Sequence, residues 1–330
     1  MASSVSFGQI FDTAAKAEEI DVAEGFYNYE LPRGERKNKN TPTETKVLAI
    51  DLDGTLLKSD HTLPLQAAQV LAAVREAGIR IILASARPPR SVLHIQEQLK
   101  LDGPVVALNG AWIGSKDGEI LAHPIWYPHW GDPFQEDSQI QLVLARHREL
   151  GVVVNLFTKE HWATSDINHP LVQREIEALG YPPDGEISAD VLKGIILKMS
   201  VLGPMDALST IRGMLKRFHL PTSLSNPFQL EITGLFTGEH RRPPLSGAFF
   251  YPVCKSEAVR FLLERDGLRL HNALALGDGQ NDGRLLASSG HGVSFFGADE
   301  WAIHCADEII IRDPEQTILP YLRELYRLSC

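Results

Sequence analysis

Residues 46–60 read KVLAIDLDGTLLKSD, an apolar run that ends on two aspartates, Asp51 and Asp53, followed by Gly54 and Thr55. In a strand, residues i and i+2 point to the same side, so both carboxylates face one place. Burying like charges close together is costly unless a cation or a proton relieves the repulsion. A solvated turn has no need of such a pair. The stretch therefore predicts a buried strand that delivers two carboxylates to a site.

Outward from this strand the pattern alternates. PLQAAQVLAAVREAG (64–78) reads as a helix closed by Gly78, IRIILASA (79–86) as a second strand, RSVLHIQEQLKL (90–101) as a second helix and VVALNGA (105–111) as a third strand. Continuously apolar strands alternating with helices indicate a parallel sheet covered on both faces, an α/β doubly wound, Rossmann-like core. Between 121 and 228 the texture changes. VVVNLFT (152–158) and KGIILKMSVLG (193–203) read as strands, and QLVLARHREL, LVQREIEALG and ALSTIRGMLKRF read as helices, enough for an inserted α+β domain. GLFTGEHRRPPLSGAFF (234–250) reads as a long loop. The α/β pattern then returns through SEAVRFLLERDG, ALALG, DGQND, GVSF and EIII, with PEQTILPYLRELYRL (314–328) as a last helix. The expected division is an extension at 1–45, a core built from 46–120 and 229–330, and an inserted domain at 121–228.

The chain has 330 residues, 44% of them hydrophobic and 22% charged, the balance of a globular protein with real cores. Its net charge of −10 argues against a general nucleic-acid or anionic-membrane binder. No apolar stretch reaches the roughly 20 residues of a membrane helix. Cys254, Cys305 and Cys330 show no CxxC spacing, so neither a disulfide framework nor a zinc site is expected. The opening residues lack the pattern of a leader, and the cytoplasm is the expected compartment. Nothing points to an obligate protein partner.

Ligands of open parallel sheets bind beyond the carboxyl ends of the strands. Asp51 and Asp53 follow the first strand, Ser85 the second, Asn109 the third and Asp278 the strand ALALG, while Lys255 starts a helix just before it. Three carboxylates, a hydroxyl and an ammonium on one rim suit Mg²⁺ together with a phosphate. A carboxylate can attack phosphorus to form an acyl phosphate, and a second can protonate the leaving oxygen and later deprotonate water.

In this order DLDGTLL, LASARP, NGA, Lys255 in CKSEAV, and LGDGQND resemble the successive motifs of the haloacid dehalogenase (HAD) superfamily, closest to its Cof-type sugar-phosphate phosphatases with a C2-type cap. The resemblance covers 46–330 and implies that Asp51 is nucleophile and Mg²⁺ ligand. It implies that Asp53 is the general acid/base, with a backbone carbonyl on the metal. Ser85 and Lys255 match phosphate-binding groups, and Asp278 matches the acidic metal ligand. Asn281 supports phosphate, Asp282 lies on or behind the metal, and Asn109 flanks the phosphate pocket. The implied activity is Mg²⁺-dependent hydrolysis of a small phosphorylated metabolite, with sugar phosphates favoured. A sugar phosphomutase of the same superfamily and a non-catalytic phosphate-ligand-binding regulator are the alternatives. Two departures stand out: Ala86 replaces a frequent Gly, and GVSFFGAD lacks the Asn expected near Ala298.

Other residues carry weaker signals. Trp126, Trp130, Phe157 and Trp162 in the inserted domain suit core packing better than sugar stacking. His161 and His169 lack metal spacing and read as solvated or capping residues. Arg241 and Arg242 read as loop residues. Specificity is expected from the inserted domain, which would open and close about hinges near 114–124 and 226–234.

Overall fold

A computed structural model of the chain describes residues 45–122, 139–192, 195–215, 222–226, 228–233, 235–237 and 250–328. Trp126, Trp130, Arg241, Arg242, Cys330 and the expected extension up to residue 44 lie outside the described residues.

The first part of the chain forms β1 (Val47–Ile50), β2 (Arg80–Leu83), β3 (Val105–Ala107), β4 (Trp112–Ser115) and β5 (Gly118–Ala122). Next come β6 (Val153–Phe157), β7 (Trp162–Thr164), β8 (Gly185–Glu186), β9 (Lys198–Leu202), β10 (Thr222–Asn226) and β11 (Gln229–Thr233). A short pair follows, β12 (Leu235–Thr237) and β13 (Phe250–Pro252), and then β14 (Ala273–Leu276), β15 (His291–Phe295) and β16 (Glu308–Ile310).

The central sheet is wholly parallel, in the order β16-β15-β14-β1-β2. A bridge from Ala84 to Val106 brings β3 to its far edge, where β3, β4 and β5 form an antiparallel group. β1 shows why this sheet is covered twice. Leu48 and Ile50 pack on one side with Val70, Leu71 and Val74 of helix Ala67–Glu76, whose buried residues recur at helical spacing. Val47 and Ala49 face the other side, against Ala258, Val259 and Leu262 of helix Lys255–Arg265. The helix after β1 ends at Gly78, whose φ of +84° suits glycine, as the sequence predicts.

The second large sheet has the order β10-β11-β9-β6-β7-β8, antiparallel except for the β7–β8 pair. Its strands alternate. Val154, Leu156, Met199, Val201, Leu230 and Ile232 form one face, packed on helices Gln139–Arg146 and Met205–Leu215. On the opposite face Asn155, Ser200 and Glu231 stand side by side in register, with Lys198 two residues from Ser200. This face looks toward the central sheet.

Several expected boundaries move. The break placed at 228/229 falls inside the β10–β11 hairpin, and β11 belongs to the second sheet through its pairing with β9. The expected loop 234–250 has paired ends, with Leu235–Thr237 against Phe250–Pro252. The strand expected over 193–203 is confined to Lys198–Leu202. The last helix begins at Leu319, not 314, because Asp313 turns the chain by accepting the amides of Glu315 and Gln316, and Thr317 has a φ of +54°. Among the described residues no helix is long and apolar enough to cross a membrane.

Leu48 is fully buried in the central strand. Leu48→Ala should lower unfolding stability by about 2–5 kcal/mol, because the rigid sheet cannot collapse onto the hole. Urea unfolding of the two proteins side by side measures it; a loss below about 1 kcal/mol would contradict this placement of the core.

Candidate active site

The parallel register brings the site together. Ile50 pairs with Leu276, so the residues just beyond them, Asp51 and Asp278, emerge side by side, and the Asp51 amide donates to the Leu276 carbonyl at 3.0 Å. Between them the chain must turn away at once. Gly54 does so with a φ of +72°, and a Cβ there would lie 2.0 Å from Asp278 Oδ2. Thr55 Oγ1 then donates to Asp278 Oδ1 at 3.0 Å, and Arg312 holds the loop by donating to the Thr55 and Leu57 carbonyls.

Lys255, only 1% exposed, reaches this rim from the first turn of its helix. Its Nζ donates to Asp51 Oδ1 at 2.6 Å and to Asp282 Oδ1 at 2.7 Å. Asp282 Oδ2 accepts the amides of Asp278 and Gly279 at 3.2 and 3.0 Å. Burial alone would weaken the Lys255 ammonium, yet Asp282 and Asp51 outweigh it and hold its pKa above the usual lysine value. The carboxylates move the other way. Burial pushes Asp51 well up, and Asp282 and Asp278 add to this against Lys255. Asp278 is pushed up to about 7 by burial and then by Asp282. One ammonium thus faces three carboxylates, Asp51, Asp278 and Asp282, with an oxygen of each within 4.8 Å of the others. This all-oxygen, under-neutralised set fits a hard divalent cation.

Asp53 sits on the same rim but in other company. Arg87 Nε and Nη2 donate to its two oxygens at 2.7 and 2.6 Å, and His61 Nδ1 lies 3.0 Å from Oδ1. Burial raises its pKa, but the hydrogen bonds from Arg87 and His61 prevail and hold it well below the usual carboxylate range. Ser85 is buried, and its Oγ accepts the Arg87 amide at 3.1 Å.

Asn109 adopts a left-handed backbone with a φ of +57° at the end of β3. Asn281 Nδ2 donates to Asn109 Oδ1 at 2.8 Å, and Asn109 Nδ2 donates to Glu231 Oε2 at 2.5 Å. Glu231 also accepts from Lys198, whose Nζ donates to the Ala86 carbonyl at 3.0 Å. A continuous polar chain therefore runs from the Asp278 loop into the second sheet. Helix Pro170–Leu179 adds Glu175, pushed up to about 7 by burial despite Lys198, with Glu231 and Asp53 also raising it.

All the residues expected at the site, Asp51, Asp53, Ser85, Asn109, Lys255, Asp278, Asn281 and Asp282, lie around these strand ends. Sequence reading did not single out His61, Arg87, Glu175, Lys198 or Glu231. A signal existed for Lys198, a charge inside the apolar run IILKMSVL, and for Arg87, inside the quoted motif LASARP. His61 has no sequence signal; it is brought in by a loop turn with a φ of +63°. Phe157 and Trp162 are buried and stack at 5.9 Å, so they pack in the core. His169 caps helix Pro170–Leu179 by accepting the Leu171 amide, and exposed His161 lies 3.9 Å from Asp184. A cavity of about 320 Å³ lined by Arg75, Ile79, Arg80 and Asp102 opens at the amino ends of β2 and β3, away from this chemistry.

Comparison with known proteins agrees with this geometry. The family model of haloacid dehalogenase-like hydrolases matches residues 48–201 and 251–322. The chain belongs to this family, and its enzyme class is that of the HAD-type phosphatases. It is 28% identical over 255 residues to an HMP-PP phosphatase of Escherichia coli O6:H1, covering 75% of this chain and 82% of the relative. It is 27% identical over 285 residues to a putative phosphatase of Haemophilus influenzae, covering 85% and 98%. A haloacid dehalogenase-like hydrolase from Bacteroides thetaiotaomicron superposes with a TM-score of 0.67 at 21% identity, over 85% of this chain and 99% of that one. A HAD subclass IIB sugar phosphatase gives 0.68 at 18% identity, over 86% and 100%.

Glu175 yields a pH test. Its pKa rises from the ordinary 4.5 to about 7 on folding, so the unfolded chain releases the proton first as pH rises. Wild-type stability is therefore penalised progressively between about pH 4.5 and 7. Glu175→Gln should gain stability over wild type at pH 8, and the gain should vanish toward pH 4.5. Urea unfolding at both pH values checks it; a pH-independent difference would show that burial does not control this carboxyl.

Proposed function

We propose that the chain is a Mg²⁺-dependent phosphatase that hydrolyses a small phosphorylated metabolite, a sugar phosphate by preference, through an aspartyl phosphate on Asp51. The observation that carries this reading is the buried Lys255 ammonium shared by Asp51 and Asp282 beside Asp278. Such a cluster keeps one Asp51 oxygen oriented and leaves an excess of negative charge that a cation and a phosphoryl group together can balance.

In the first step an Asp51 carboxylate oxygen attacks phosphorus and the bond to the ester oxygen breaks. The departing alkoxide takes a proton from the carboxyl of Asp53. In the second step Asp53 removes a proton from water, the water oxygen attacks phosphorus, and the bond to Asp51 breaks to release phosphate. Lys255 and Ser85 bind the phosphoryl oxygens, with Asn109 and Asn281 flanking them. Asp51, Asp278 and the Asp53 carbonyl would hold Mg²⁺, with Asp282 beside it, and the ion would supply charge neutralisation at the phosphoryl group. In the observed arrangement Arg87 and His61 keep Asp53 ionised, which suits the water-activating step. For the first step Asp53 must leave this clamp to carry a proton. Among the described residues Cys254 and Cys305 are buried and form no disulfide, which suits the reducing cytoplasm proposed here.

Purified protein with Mg²⁺ should release free phosphate from sugar monophosphates, chelation should remove the activity, and Asp51→Asn should lower kcat by at least 10³-fold with the fold intact, because an amide forms no acyl phosphate. Turnover that survives in Asp51→Asn would overturn the mechanism. An isomeric sugar phosphate as product would replace hydrolysis with mutase chemistry.

A further inference from the structure

On the phosphatase reading of the site, on which this inference rests, we propose that His61 is a positioning residue for the second step of the reaction. Through Nδ1 it holds the Asp53 carboxylate so that Oδ2 is the atom that takes the proton from the attacking water.

The turn that carries His61 is tied into one conformation. The Lys58 amide donates to the Thr62 carbonyl at 2.9 Å, and the His61 amide to the Lys58 carbonyl at 3.0 Å. Asp60 Oδ1 accepts the Thr62 amide at 3.0 Å and the Thr62 hydroxyl at 2.6 Å, while its Oδ2 accepts from Lys58 Nζ at 3.3 Å. Within this turn His61 has a φ of +63°, a left-handed backbone uncommon for any residue with a side chain. A solvated loop has no need of that backbone. Here it turns the imidazole toward the strand end, with Nδ1 3.0 Å from Asp53 Oδ1 and 3.3 Å from Arg87 Nη2.

Counting lone pairs identifies the reacting atom. A carboxylate offers about four acceptor directions, shared equally by its oxygens. Arg87 Nη2 and His61 Nδ1 both reach Oδ1, at 2.6 and 3.0 Å, and fill it; Arg87 Nε reaches Oδ2 at 2.7 Å and leaves it one direction open. The carboxylate only accepts, so this contact places the imidazole proton on Nδ1. The Asp53 and His61 side chains are each 40% exposed, so water reaches the open direction. In the second step Oδ2 takes a proton from water and the water oxygen bonds to phosphorus. The bond from phosphorus to Asp51 breaks, and its electron pair returns to the Asp51 carboxylate. Without His61, Oδ1 regains a lone pair and Arg87 alone holds the carboxylate, so the base is no longer aimed at one point. Attack by Asp51 makes no use of the contact, so the two steps should respond differently to its loss.

The test follows p-nitrophenyl phosphate with Mg²⁺ and full-length protein, in single turnovers and at steady state. Nitrophenolate departs without a proton donor, so its release times the attack of Asp51, and phosphate release times hydrolysis of the phospho-enzyme. His61→Gly suits the left-handed turn and removes the imidazole. It should slow phosphate release by about tenfold or more while nitrophenolate release keeps its rate, so that kcat falls and kcat/KM holds. His61→Asn also suits the turn and offers an amide nitrogen at the position of Nδ1, so it should restore most of the phosphate-release rate. Asp60→Ala loosens the turn from outside the site and should slow the same step, which decides the matter should His61→Gly fail to fold. Equal slowing of both releases, phosphate release at the wild-type rate in His61→Gly, or no recovery in His61→Asn would overturn the role of His61 alone. Wild-type protein that releases neither nitrophenolate nor phosphate would overturn the phosphatase reading, and this role with it.

Discussion

The structure turns on one buried ammonium. Lys255 lies 204 residues from Asp51 in sequence and 27 from Asp282, yet it donates to both. A buried lysine without partners would be heavily penalised, and so would three clustered carboxylates without a cation. Each fault corrects the other only if β1 and β14 lie side by side and helix Lys255–Arg265 begins directly behind them. The separated halves of the parallel sheet are therefore held in one arrangement by charge as well as by the apolar packing of Val47, Ala49 and Val259. A buried ion cluster is a poor source of net stability but a strong constraint on geometry.

That constraint leaves a residue of negative charge, and the rest of the site can be understood as its management. Asp53 is two residues from Asp51 but does not join the cluster; Arg87 and His61 draw it aside and keep it ionised. Arg87 is itself fixed by Ser91 and by its amide on Ser85, so the loop that carries Ser85 and the carboxylate of Asp53 are mechanically one unit. Contrary to the expectation from their i, i+2 spacing in a strand, both aspartates lie beyond the end of β1, Asp53 within the turn Leu52–Leu56, and their surroundings drive their pKa values in opposite directions.

Much of this was legible in the sequence because the relevant physics is local or repetitive. Four-residue apolar strands alternating with amphipathic helices define the parallel sheet, and the strand ends then define the rim. What was not legible depended on pairing between distant strands. Residues 229–233 read as part of the core because the change of texture is placed at 228; only the alignment of Glu231 with Ser200 and Lys198 with Thr233 assigns them to the second sheet. His61 and Arg87 escaped notice for a similar reason, since their function is a contact with Asp53 across loops rather than a pattern along the chain. The late start of the last helix followed from an aspartate cap at Asp313 that helix periodicity does not register.

The second sheet shows how one pattern of alternation can serve stability and chemistry together. Its outer face, Met199, Val201, Leu230 and Ile232, buries apolar area against two helices. Its inner face, one residue out of phase, carries Lys198, Ser200, Gln229 and Glu231, polar groups that a free-standing domain would have no reason to bury. They are tolerated because each finds a partner: Gln229 on Ser200, Lys198 on Glu231, and both members of the ion pair on the core through Ala86 and Asn109. The bonds between the two sheets thus reach the backbone of the loop that carries Ser85. Movement of the second sheet away from the core breaks hydrogen bonds at Ala86 and Asn109, one residue from Ser85 and one polar contact from Asn281. The placement of the second sheet and the geometry around Ser85 and Asn281 are therefore physically coupled in this fold.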